Sequence, residues 1–218
     1  MRRLFALACL AVCLPATALA EDRDLGLLEY TVEPTQAMQL SPMKNGADRD
    51  VLSEARMWAD FGLRVPEKMV RIVVRKNAPV EVDVYWYFSA YESPADKTYM
   101  AFMHAVSKTY LEFIRKCQPV GASSHIEACR RSAVAGAEAQ NLLQEFSRLG
   151  IWNLPDQRDV NDDGNVHGTD GSSIVVELRV GAHYRSYSWS NPDTSSGKEG
   201  KRADALLTRM WAFASEGE

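Results

Sequence analysis

The order of patterned segments predicts an α+β fold: an antiparallel sheet of two β-hairpins with helices packed mainly on one face, two of them an αα-hairpin stapled by a disulfide. Three observations carry this expectation. Alternation in VEVDVYWYFS (80–89) marks a half-buried antiparallel strand, and in SSIVVELRV (172–180) Ile174, Val176, Leu178 and Val180 alternate with Val175, Glu177 and Arg179; each run lies beside a second β-rich one. Long helical stripes fill the stretch between those hairpins, and an amphipathic run closes the chain. The resulting order ββ, αα, ββ, α suits helices segregated to one side of an antiparallel sheet.

The first element, MRRLFALACLAVCLPATALA, reads as a signal peptide over residues 1–20. Arg2 and Arg3 form a basic start, and Leu4 to Leu14 is an apolar run too short to span a bilayer. Ala18 and Ala20 supply small residues for cleavage. Cys9 and Cys13 lie inside the apolar run, without the small-residue setting that lipidation needs. Cleavage removes both arginines and no acid, leaving 23 Lys+Arg against 29 Asp+Glu, a net charge of −6. Basic residues are dispersed and no later stretch is apolar enough for a membrane span. These features favour a periplasmic or secreted chain over a nucleic-acid or membrane-surface binder.

Residues 21–48 read as an extended N-terminal segment, punctuated by Pro34, Pro42 and Gly46, with one short strand around Leu27 to Val32. A single α+β domain follows over 49–218. It begins with a short helix capped by Asp48 or Asp50, placing Val51, Leu52, Ala55, Trp58 and Ala59 on one face, before Pro66.

MVRIVVRK (69–76) and VEVDVYWYFS form the first hairpin across Asn77, Ala78 and Pro79. In its second strand Val80, Val82, Val84, Trp86 and Phe88 share one face; Glu81, Asp83, Tyr85 and Tyr87 share the other. A helix capped by Ser93, with Pro94 first, carries an apolar stripe from Met100 to Cys117. Gln118 to Ser124 reads as a loop. A second helix is expected from about His125 to Leu149, with Val134, Ala137, Leu142, Phe146 and Leu149 inward and Gly150 as its stop.

Cys117 and Cys129, the cysteines left after processing, read as one disulfide in an oxidising compartment. No CxxC is present to support a redox or zinc reading. On these boundaries the bridge joins the end of one helix to the first turn of the next. SSIVVELRV and AHYRSYSW (182–189) form the second hairpin around Gly181. SNPDTSSGKEGKR (190–202) reads as a polar loop, and ADALLTRMWAFA as the closing helix.

Catalytic signatures are missing: no GxSxG, HExxH, SxxK or phosphate-binding glycine loop occurs, and the four histidines are scattered. The sharpest chemical signal is DVNDDGNVHGTD (159–170). Calcium takes six to eight oxygen ligands, and a 12-residue loop supplies them from fixed positions around a glycine bend. Here those are Asp159, Asn161, Asp163, the Asn165 carbonyl, His167 through a water, and Asp170, with Gly164 at the bend and Val166 as the apolar tether. The competing reading is a polar turn, since Asp, Asn and Gly are the commonest turn formers.

The run closely resembles the calcium-binding loop of dockerin modules, which also end in Asp. A strand rather than a helix is expected to follow it, so the resemblance implies a local, structural Ca²⁺ loop and no dockerin function. The affinity expected is that of extracellular modules, ~10⁻⁴ to 10⁻³ M.

A longer stretch resembles a poorly characterised bacterial exported domain. In that group a helix runs into G-(F/I)-W-x-L-P, followed after a loop by D-G-x-x-W-x-x-E, G-x-Y and W-x-P. Trp152, Leu154, Pro155, Asp170, Gly171, Glu177, Tyr184, Trp189 and Pro192 match. Ile174 or Val175 stands where that pattern has an aromatic. The resemblance implies a fold without an assigned activity, and it also allows Asp170 and Gly171 to belong to the start of the strand.

Two function classes follow. The first is a non-enzymatic binding or interaction module of the cell envelope, stabilised by Ca²⁺, whose partner is an envelope protein or a small ligand. The second is a periplasmic hydrolase whose carboxylates meet Tyr or His side chains in a cleft.

Overall fold

In a computed structural model the described residues are 26–44, 49–59, 67–89, 117–122, 126–160 and 172–215. They contain one seven-stranded antiparallel sheet: β1 (Val51–Ala59), β2 (Glu67–Arg75), β3 (Glu81–Ser89), β4 (Gln118–Ala122), β5 (Ile126–Ala135), β6 (Ser173–Val180) and β7 (His183–Ser190). Its spatial order is β4-β5-β3-β2-β1-β6-β7. The helices are α1 (Val32–Ala37), α2 (Ala137–Leu149) and α3 (Lys198–Ser215). The signal peptide over 1–20, the helix expected from Ser93 and most of the acidic loop lie outside the described residues.

Both expected hairpins are present, as β2–β3 and β6–β7. Gly181 turns the second with φ +59°, and Asn77 turns the first with φ +54°. The α+β class with an antiparallel sheet is therefore the fold of this protein.

Residues 49–59 correct the first expectation. The segment read as a short helix is β1, which pairs with β2 on one side and β6 on the other and so joins the two hairpins. Both of its faces are covered: Ala55, Met57 and Ala59 enter one apolar core, whereas Glu54, Arg56 and Trp58 are buried on the opposite face. Glu54 and Arg56 alternate with Ala55 and Met57, but Ser53 on the apolar face and Trp58 on the charged face interrupt that period, and the 51/55/58/59 spacing then imitates a helix.

The αα-hairpin is also corrected. Residues 118–122, expected as a loop, form β4, and 126–135, expected as helix, form β5. Cys117 and Cys129 are bonded, with Cα atoms 5.6 Å apart, but the bridge staples the β4–β5 strand pair. IEACRRSAVA has enough Ala and Arg to suit a helix, yet pairing along the whole of β3 makes it a strand. Gly136, at φ +72°, breaks the chain between β5 and α2. Two smaller corrections follow. Residues 26–31 form a 3-10 turn leading into α1, in place of a strand and extended chain. Pro34 is tolerated there because first-turn amides have no intrahelical acceptor. The C-terminal helix begins at Lys198, inside the segment read as a polar loop.

Packing is two-sided. On one face Leu142 and Phe146 of α2 and Leu206, Leu207, Met210 and Phe213 of α3 meet Val82, Val84, Trp86, Val176 and Trp189 of the sheet. On the other, Ala37 and Met38, with Leu27, Leu28 and Leu40 at their edge, lie over Trp58, Met69, Tyr85, Tyr87 and Val175. The face on which the sequence places Tyr85 and Tyr87 is thus covered by the N-terminal segment. A Cβ on Gly121 would fall 2.0 Å from the Ala37 carbonyl oxygen, so glycine is what lets β4 approach α1 this closely.

Candidate functional site

Of the loop residues read as calcium ligands, Asp159 is described: it ends the 3-10 turn Gln157–Asp159, whose first turn Asp156 caps. Asn161, Asp163, Asn165, His167 and Asp170 lie outside the described residues. Both flanks are anchored. Val160 packs against the main core, and the Asn191 amide donates to the Ser172 carbonyl at 2.7 Å. After the loop comes β6, a strand, as expected. Among the described residues no three His, Cys, Asp or Glu side chains are grouped to hold a metal.

What the structure gathers instead is a buried charge network on the sheet face beneath the N-terminal segment. Glu54 of β1 lies at its centre. Its Oε1 accepts from Arg56 Nε at 3.0 Å, Arg56 Nη2 at 2.8 Å and Arg71 Nε at 2.8 Å. Its Oε2 accepts from Arg179 Nη2 at 3.3 Å. Asp83 of β3 extends the array, accepting from Arg130 and pairing with Arg71 Nη1 at 3.6 Å. Arg56 also donates from Nη2 to the Ser41 carbonyl at 2.8 Å, tying the sheet to the N-terminal segment.

Glu177 of β6 forms the second half. Its Oε2 accepts from the Trp58 indole at 2.9 Å and its Oε1 from the Tyr184 hydroxyl at 3.1 Å. The two buried glutamates are opposed in electrostatics. Burial pushes the Glu54 carboxyl up, but Arg56 and Arg71 together more than reverse this and hold it below the usual carboxylate range. Burial pushes Glu177 up as well, and Arg56, Trp58 and Tyr184 offset only part of that. Burial and the neighbouring Glu177 also raise the Tyr184 phenol well above its ordinary value. Glu54 is thus a fixed anion, and Glu177 is a carboxyl biased toward its neutral form.

Both Glu54 oxygens accept from guanidinium groups, and both Glu177 oxygens accept from ring or phenol donors. Glu54 and Arg56 are 3% and 2% exposed.

Several residues of the exported-domain pattern touch each other. Glu177 bonds Tyr184, and the Trp189 indole donates to the Pro155 carbonyl at 2.8 Å. Trp152 donates to Ser147 Oγ at 2.9 Å, at the end of α2. These side chains brace the α2–β7 junction and the sheet face, so their spacing reports packing.

The sequence reading missed Glu54, Arg56, Arg71 and Arg179. One signal was present for the arginines: Arg56, Arg71 and Arg179 each stand between two apolar residues in a strand-like run, where an unpaired charge would be costly to bury.

A second feature lies on the helical side. Arg148, Ser196, Lys198, Lys201 and Arg202, with the apolar Leu149 and Ala205, line a shallow hollow of about 680 Å³ where the end of α2 meets the start of α3. No family model, curated protein or solved structure matches the chain.

Proposed function

We propose that the chain is an exported binding or interaction module of the cell envelope, without catalytic activity of its own. Its N-terminal twenty residues act as a cleaved signal, and its 159–170 loop is stiffened by Ca²⁺. The observation that supports the non-enzymatic reading is the burial of the two carboxyls, each with both oxygens hydrogen-bonded inside the protein. Glu54 and Glu177 each have both oxygens engaged, under a covered sheet face. A hydrolase needs a carboxyl within reach of a substrate, and both of these are buried, at 3% and 7% exposure. The export reading rests on the order of residues 1–20 together with the bonded Cys117–Cys129 pair, which suits an oxidising compartment. The Ca²⁺ reading rests on loop spacing, and its two anchored flanks give a metal something rigid to join.

The experiment is crosslinking of the mature chain to envelope fractions in Ca²⁺ and in chelator, beside a panel of ester, phosphoester, glycoside and peptide substrates. The expected result is one specific crosslinked component, competed by excess free chain and weakened by chelation, with no turnover. A melt raised by millimolar Ca²⁺ in the parent, and unmoved in Asp159→Ala/Asp163→Ala, is expected alongside. Turnover abolished by Glu177→Gln would overturn the non-enzymatic reading, and a melt indifferent to Ca²⁺ would remove the metal.

A further inference from the structure

We infer that the hollow between α2 and α3 is a binding site for a phosphate-class oxyanion. Four cationic side chains line it: Arg148 from the last turn of α2, and Lys198, Lys201 and Arg202 from the first turns of α3, with Ser196 beside them. Among the described residues no carboxylate contributes to its wall, in a chain whose 29 acidic residues outnumber its 25 lysines and arginines.

Elsewhere on these helices a cation does find a carboxylate: Arg209 pairs with Glu145 at 2.8 Å. Arg148, Lys198 and Lys201 have no such ion pair among the described residues. Gathering unpaired like charges in one concavity raises their mutual repulsion, which an anion would relieve.

Arg202 is held in place before any ligand arrives. Its Nη2 donates to Asn153 Oδ1 at 2.8 Å, and its guanidinium rests over Gly150. A Cβ on Gly150 would fall 1.7 Å from that nitrogen, so glycine at φ +92° both ends α2 and makes the seat for Arg202. A guanidinium fork matches two oxygens of one phosphate, and ammonium groups add charge without direction. A multivalent phosphate or phosphoester fits this set better than a single carboxylate does. The volume accommodates a phosphoester headgroup as well as a bare ion. The hollow lies on the helical side of the sheet, away from the charge network, so its failure as a site would leave the interaction reading standing.

The test uses the purified chain and two probes: pyrophosphate by calorimetry at low ionic strength, and sedimentation with phosphatidylglycerol vesicles against phosphatidylcholine alone. Arg148→Ala/Lys201→Ala removes two exposed cations from the hollow. Arg49→Ala/Lys76→Ala removes two exposed cations elsewhere and serves as the charge-matched control. The hollow variant, with an unchanged melt, is expected to bind about tenfold more weakly or worse while the control keeps parental affinity. Binding of pyrophosphate identifies a soluble phosphate ligand, and binding of anionic vesicles alone identifies a lipid headgroup; either supports the site. Binding of neither probe, or equal loss in both variants, would overturn it.

Discussion

Glu54 accepts from three arginines that come from its own strand, from β2 and from β6, so removing its charge acts on all of them together. Arg56 is 2% exposed and Arg179 7%, and neither can recover water without opening the sheet face. Breaking a buried ion pair from one side costs about 3–5 kcal/mol, because the stranded charge stays buried. Glu54→Gln is therefore expected to lower the urea midpoint by an amount in that range, at unchanged slope. A loss below about 1 kcal/mol would mean that water reaches the arginines. None of these partners was legible as a pair in the sequence. Arg71 and Arg179 lie 17 and 125 residues from Glu54, and nothing local records a contact that only the strand order creates. The calcium motif was legible for the opposite reason, since its spacing lies within twelve consecutive residues.

At the scale of elements, the free edge of β7 is closed by side chains from the preceding loop. Asp156 accepts from the Ser188 amide at 3.0 Å, and Gln157 pairs with both backbone groups of Ser190, at 2.8 and 3.2 Å. A carboxylate and a carboxamide thus take the places that a neighbouring strand would fill, which guards an edge against pairing with a second molecule. Asp156→Ala/Gln157→Ala should speed hydrogen exchange at Ser188 and Ser190 by about tenfold or more, and promote concentration-dependent association in sedimentation. Unaltered exchange at these two amides would show that the edge is protected by other means. Legibility divides along the same lines. The two hairpins were readable because each has a strand with clear alternation, in β3 and β6. β1 and β5 were not: Ser53 and Trp58 interrupt the alternation of β1, and β5 is built from residues with helical preference. In both, tertiary pairing overrides a local signal. The C-terminal helix, with Leu206, Leu207 and Met210 on one side and exposed Lys201 and Thr208 on the other, kept its pattern because one face remains in water.

At the scale of the whole molecule, the opposed carboxyls determine how stability follows pH. Glu177 is raised above its ordinary 4.5, so the folded state holds that proton more tightly than the unfolded chain does. Its contribution is fully present below about pH 4.5 and is lost as pH rises through the folded value. Glu54 is lowered from 4.5 and Asp156 from 3.8, where burial opposes but Arg158 and the Ser188 amide prevail. Their contributions are present above those values and are lost as pH falls through the folded ones. The two limbs overlap between the ordinary carboxylate range and the raised Glu177 value, so the melting temperature is expected to be highest in that interval and to decline as pH rises through the Glu177 value. Glu177→Gln separates the limbs. Its amide oxygen still accepts from the Trp58 indole, and its amide N–H can donate to the Tyr184 hydroxyl, so the bonding survives without a charge to bury. The variant should match the parent near pH ~4 and gain on it steadily as pH rises, moving the peak toward neutrality. Melts across that range decide the matter: a gap between variant and parent that stays constant with pH would show that Glu177 is not held in its neutral form by the fold.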